Sequence, residues 1–137
     1  SLFLKLSVTD KSAKNLMHRI ELYPEVSKVT YISAKQALKE FKALPSTVQK
    51  RFSLDLNAIT KGKEPFSKFK HISDSVGVGT IELIENGRPA YRTLYVAKYD
   101  NAVYVLHSFT KTTNGVDRKA MATAKQRHKT MMAELKN

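Results

Sequence analysis

Tyr91-Arg92-Thr93-Leu94-Tyr95-Val96-Ala97-Lys98 runs through Tyr99-Asp100-Asn101 into Ala102-Val103-Tyr104-Val105-Leu106-His107-Ser108-Phe109-Thr110-Lys111. Both arms are rich in β-branched and aromatic residues, which suit a pleated, half-buried surface. The polar break at Asp100-Asn101 tolerates the positive φ of a tight turn, so the segment reads as a β-hairpin. The second arm is apolar at nearly every position from Ala102 to Leu106, which predicts a strand covered on both faces, in the middle of a sheet packed by helices. Arg92 at the start of the first arm and Thr110-Lys111 at the end of the second are placed to line a groove without entering the core.

Working back from the hairpin, Thr80–Ile84 predicts a strand, and Asn86-Gly87 is a strong two-residue hairpin signal that joins it to the Tyr91 arm. The core is then a three-strand antiparallel meander. Residues 61–77 are polar and basic, a loop with a short strand at Phe69–Ile72. Before them, Ser46 with Gln49 starts a helix whose stripe Val48, Phe52, Leu56 and Ile59 stops at Gly62. Leu44-Pro45 separates it from an earlier helix, opened by a capping box at Ser33-Ala34-Lys35-Gln36, with Ala34, Ala37, Leu38 and Phe41 on one face and Lys35, Lys39 and Lys42 on the other. The two make a helical hairpin.

Val29–Ile32 and residues 2–8 predict short strands, with a helix between them from Thr9 or Asp10 through Ala13, Leu16, Met17 and Ile20 to Tyr23-Pro24. After the central hairpin, Asp117 caps a last helix with Met121, Ala124, His128, Met131 and Leu135 on one stripe and Arg118, Lys125 and Lys129 opposite.

The 137 residues suffice for one domain with a modest core. Lysine and arginine outnumber aspartate and glutamate 24 to 12, and the net charge of +12 favours a polyanionic partner, above all nucleic acid. With no cysteine there is no disulfide and no thiolate metal site, and the four histidines lack paired ligand spacing. No apolar run approaches a membrane span, and Leu2-Phe3-Leu4 is too brief for a signal-peptide core, although the chain opens on Ser1 rather than Met. The expected location is cytoplasmic.

This order of elements, with Tyr91-Arg92, then Ala102 to Phe109 followed by Lys111, and Ala124-Lys125-Gln126-Arg127, resembles the RelE/HigB superfamily of toxins, especially its phage-derived HigB-like branch. The likeness covers roughly residues 29–135. It implies an α+β, RelE-like fold: a twisted, mainly antiparallel sheet with an N-terminal helical hairpin and a C-terminal helix. Residues 29–137 would form the toxin domain and residues 1–28 an N-terminal extension. The segment down to Phe41 also resembles, over a short and generic stretch, the extracellular part of a bacterial cell-division permease subunit.

The toxin resemblance implies a metal-independent endoribonuclease that enters the ribosomal A site, cuts mRNA there and is silenced by a cognate antitoxin, with no cofactor. The chain departs from the family where Thr110-Lys111 replaces the usual two lysines, and in its extension. The alternative is a non-catalytic basic RNA- or DNA-binding regulator on the same fold.

Cleaving RNA through its own 2′-hydroxyl requires a proton acceptor, cations for the charge that builds on phosphorus, and a proton for the departing 5′-oxygen. Arg92 and Lys111, by their place in the family motif, are expected to hold the phosphate charge. His71, in the basic loop, is the expected proton carrier. Lys68, Lys70, Arg88 and Arg127 are the expected RNA-binding residues. His107 reads as a hydrogen-bonded core histidine and His128 as a structural one.

Overall fold

A computed structural model describes residues 3–5 and 29–136. Among them lie strands β1 (Phe3–Lys5), β2 (Val29–Ser33), β3 (Lys68–His71), β4 (Thr80–Glu85), β5 (Ala90–Val96) and β6 (Ala102–Lys111). The helices are α1 (Ala34–Ala43), α2 (Ser46–Thr60) and α3 (Arg118–Leu135). The helix expected between Thr9 and Pro24 lies outside the described residues.

The architecture is α+β, with one six-stranded sheet in the order β1-β2-β6-β5-β4-β3. Strands β3 to β6 form a four-strand antiparallel meander, one strand longer than expected, and β2 adds in parallel to the free side of β6. The expected hairpin, β5–β6, is therefore central, and Asp100 and Asn101 turn it with φ of 52° and 53°.

The other hairpin differs from expectation. Asn86 and Gly87 do not adopt the positive φ pair of a two-residue turn, and the chain instead passes through a longer connection that includes a cis Arg88–Pro89 bond. The proline two residues after the Asn-Gly signal belongs to the turn and lengthens it.

Helices cover both faces. On one, Ala37 and Phe41 of α1 and Val48, Phe52 and Leu56 of α2 pack on Leu83, Tyr95, Val103 and Val105. On the other, Ala124 and Met131 of α3 pack with Leu94, Val96, Tyr104 and Leu106, sealed at one side by Ile72 and Val76. A fully buried Phe or Leu of this kind contributes about 2 kcal/mol by removal from water.

Local signals hold these helices in place. The Asp117 side chain accepts from the Ala120 N–H at 3.0 Å, capping α3 as its position suggested. Gln49 behaves otherwise: its amide donates to the Lys42 and Leu44 carbonyls at 2.8 and 2.7 Å, closing the end of α1 rather than the start of α2.

One irregularity decides which residues share a face. Between β5 and β6 the register moves from Leu94 opposite His107 to Tyr95 opposite Val105, leaving Leu106 as an extra residue on β6. Strict alternation from Val103 and Val105 would have sent Phe109 and Lys111 to the α1/α2 face. The bulge turns them to the α3 face, where Phe109 sits opposite Arg92.

Candidate anion-binding cleft

The bulge and the strand register together gather Arg92 from β5, Glu82 from β4, Lys70 from β3, and Phe109 and Lys111 from β6. They line an open cleft of ≈ 340 Å³, closed at one end by Met121 and the segment leading into α3. Arg92 is the buried cation, its side chain 10% exposed, which corrects the expectation of an arginine kept out of the core. Its Nη1 donates to the Tyr91 carbonyl at 3.0 Å and its Nη2 to Asn86 Oδ1 at 3.3 Å. Its Nε has no hydrogen-bond partner and stands 3.8 Å from Glu82 Oε2.

Glu82 is 6% exposed and also lies 3.6 Å from Lys70 Nζ through its other oxygen. One carboxylate thus sits between two cations, at distances where the pairing is loose enough to be exchanged for another anion. Lys111 lines the same cleft, its Nζ donating to the Thr113 carbonyl at 2.6 Å. With Lys70, Arg92 and Lys111 around it, the cleft favours a negatively charged guest.

The remaining expected residues lie elsewhere. Lys68 borders a neighbouring groove with Arg51, Phe66, Ser67 and Asn86. Lys70 is paired with Glu82, whereas His71, the next residue on the strand, points to the other face. There its ring meets that of Phe69 edge-on at 6.1 Å, away from Arg92. Arg88 is exposed in the β4–β5 connection and does not line the cleft.

Arg127 is drawn into a separate ion-pair cluster. Its two terminal nitrogens grip Glu40 of α1 at 2.8 and 2.9 Å, and Nη1 also donates to the Leu106 carbonyl at 2.9 Å. His107 Nδ1 lies 2.7 Å from Glu40 Oε1, so this histidine is hydrogen-bonded in a buried setting, as its strand position suggested. Burial pushes the Glu40 carboxyl up, but the hydrogen bonds and charges of His107 and Arg127 outweigh it and hold the group down at about 2. His128 serves structure too: its Nε2 lies 2.9 Å from the Val78 carbonyl, and Gly77 passes so close beneath the ring that a side chain there would collide with it.

Sequence reading missed Glu82 and Asn86. The signal for Glu82 was its phase: in Thr80-Ile81-Glu82-Leu83-Ile84 it alternates with Leu83, so one of the two must face inward on each side of the sheet.

A central meander between two helical layers, with a cationic cleft at one strand end, defines an α+β protein. The chain belongs to the phage derived protein Gp49-like family, whose model matches residues 39–129. That family is associated with toxins of the RelE/HigB type and with toxin-antitoxin systems. The model of the FtsX extracellular domain matches residues 1–69, overlapping the first over residues 39–69. Cell division protein FtsX of Aeromonas hydrophila is 46% identical over 44 residues, which is 32% of this chain and 14% of that protein. No solved structure matches. Among the described residues no helix is long and apolar enough to cross a membrane.

Proposed function

We propose that the chain is the toxin of a toxin-antitoxin pair, a ribosome-dependent endonuclease that cuts mRNA and so inhibits translation. The observation that carries this reading is the cleft in which Arg92, Lys70 and Lys111 converge around the inward-facing Glu82. A phosphodiester seated there meets Arg92 and Lys111, which stabilise the charge that develops as the 2′-hydroxyl attacks phosphorus and the P–O5′ bond breaks, the departing 5′-oxygen taking its proton from water in the open cleft. Glu82 is the carboxylate within reach to accept the 2′-proton, a role we assign to it rather than to His71, which occupies the opposite face. Lys68 and Lys70 hold neighbouring phosphates, and Arg88 extends the cationic surface at the turn. Arg127 acts on the fold through Glu40.

In this reading residues 29–137 are the working domain, the location is cytoplasmic, and the partners are the ribosomal A site with its message and an antitoxin. Primer extension on a reporter mRNA in a reconstituted translation system tests it. Wild-type protein should produce cuts at A-site codons that require ribosomes and are lost in Arg92→Ala. An intact message in every lane would remove the catalytic claim.

A second reading is favoured by the FtsX matches, in which the chain works as part of an extracytoplasmic domain. Fractionating cells that carry the tagged full chain separates the two, since recovery outside the cytoplasm would favour the second.

A further inference from the structure

Phe66 is 79% exposed, an unusual setting for a phenylalanine, and it is not on a loose loop. The Phe66 and Ser67 N–H groups both donate to Asp55 Oδ1, at 2.8 and 2.9 Å, and Asp55 is fully buried in α2. The ring therefore stands in water on a fixed base. Beside it runs an open groove of ≈ 430 Å³ whose other walls include Arg51, Lys68, Ile84 and Asn86. The single acid on that wall, Glu85, is already paired with Arg51 at 2.7 Å, so Lys68 carries the local charge.

This groove adjoins the Arg92 cleft. Lys68 and Lys70 are alternate residues of β3, about 7 Å apart on one side of the strand, and each lines one of the two depressions. Asn86 belongs to the Phe66 groove and holds Arg92 through its side-chain oxygen. An aromatic face, a lysine, an asparagine-tethered arginine and a second lysine thus follow one another along the sheet end. Alternating cations and exposed rings are how proteins hold single-stranded nucleic acid, the cations on phosphates and the rings against bases.

We propose that Phe66 is a stacking platform for a base of single-stranded RNA, adjacent to the nucleotide whose phosphate enters the Arg92 cleft. This rests on the nuclease reading for the identity of the neighbouring phosphate. The rigid anchor makes the ring a positioning element, because it fixes where the base lies without ordering a loop at the moment of binding.

The test uses the full chain and short RNA oligonucleotides carrying a single 2-aminopurine, whose fluorescence falls when it stacks. Wild type, Phe66→Tyr and Phe66→Leu are compared, and each is assayed separately for cutting ribosome-bound message. Because Phe66 is solvent-facing, all three should unfold at the same temperature. Phe66→Leu should bind roughly tenfold more weakly and lose the quenching, while Phe66→Tyr should keep both. Equal affinity and quenching in Phe66→Leu would overturn the proposal even if the message is cut, as would a wild type that does not bind the oligonucleotide. Should Phe66→Leu leave RNA binding intact but release a co-expressed acidic partner, the ring is a protein anchor and the proposal fails. Loss of binding in Phe66→Leu, with no cutting by the wild type, would keep the platform and remove the nuclease.

Discussion

Arg92 and Arg127 belong to two separate pieces of the same family resemblance, and each lies beside a shielded carboxylate. Arg127 is closely paired, with a two-pronged grip on Glu40 at 2.8 and 2.9 Å and a third bond to a backbone carbonyl. Arg92 stands 3.8 Å from Glu82, keeps one nitrogen without a hydrogen bond, and opens onto a cleft. A charge gripped closely by a carboxylate joins helices. One held only loosely by its carboxylate, at the wall of an open cleft, is available to a guest.

The strongest way to break this contrast is Arg92→Ala. On the nuclease reading it should lower cutting of ribosome-bound message by about 10²–10³-fold, the effect of removing one preorganised charge donor. Cleavage rates on a reporter message check it, and an unchanged rate would erase the distinction between the two arginines.

Arg127→Ala should act on stability instead. Removing it leaves Glu40 poorly compensated between α1 and α3, at a cost of about 3 kcal/mol and a melting temperature lower by roughly 10 °C. Differential scanning calorimetry of both variants sharpens the comparison. A milder loss in Arg127→Ala than in Arg92→Ala would invert it.

The third prediction concerns acid. Glu40 is held below its ordinary value, near 2, so its contribution to stability is complete above about pH 4.5 and disappears as the pH falls toward 2. Wild type should therefore lose on the order of 2–3 kcal/mol more than Glu40→Gln between pH 5 and pH 2, seen as a wider gap between urea midpoints. Parallel curves for the two proteins would mean that the carboxylate is unpaired in solution.

The smallest effect expected is that of Gln49→Ala, which frees the Lys42 and Leu44 carbonyls at the end of α1. It should cost about 1 kcal/mol, read from urea unfolding, and leave RNA cleavage unchanged.

Local patterns made the fold readable where one strand or helix carries its own signal. The β5–β6 hairpin, its Asp100-Asn101 turn, the stripe of α2 and the Asp117 cap all follow from neighbouring residues. Asn86-Gly87 misled because its turn type depends on Pro89 as well. His71 is expected in the site because it falls in an exposed basic stretch, yet a strand's alternation decides its face, and the parity of a four-residue strand cannot be read without its neighbours. Arg127 looked like a ligand-binding arginine because Glu40, its partner, is 87 residues away along the chain. Phe109 and Lys111 share the cleft with Arg92 only through the extra residue Leu106, which no alternation announces.

The edges of the sheet bear on a different matter, how this chain behaves when it is abundant. Every sheet that is not closed ends in two strands with open backbone groups, and long apolar edges invite other copies to pair with them. Among the described residues one border is the three-residue β1 and the other the four-residue β3, where Lys68 and Lys70 are both exposed. Short borders offer few rungs for a growing ladder, and the lysines oppose the approach of a second copy by charge. Crowded solutions of the protein should thus resist fibre formation.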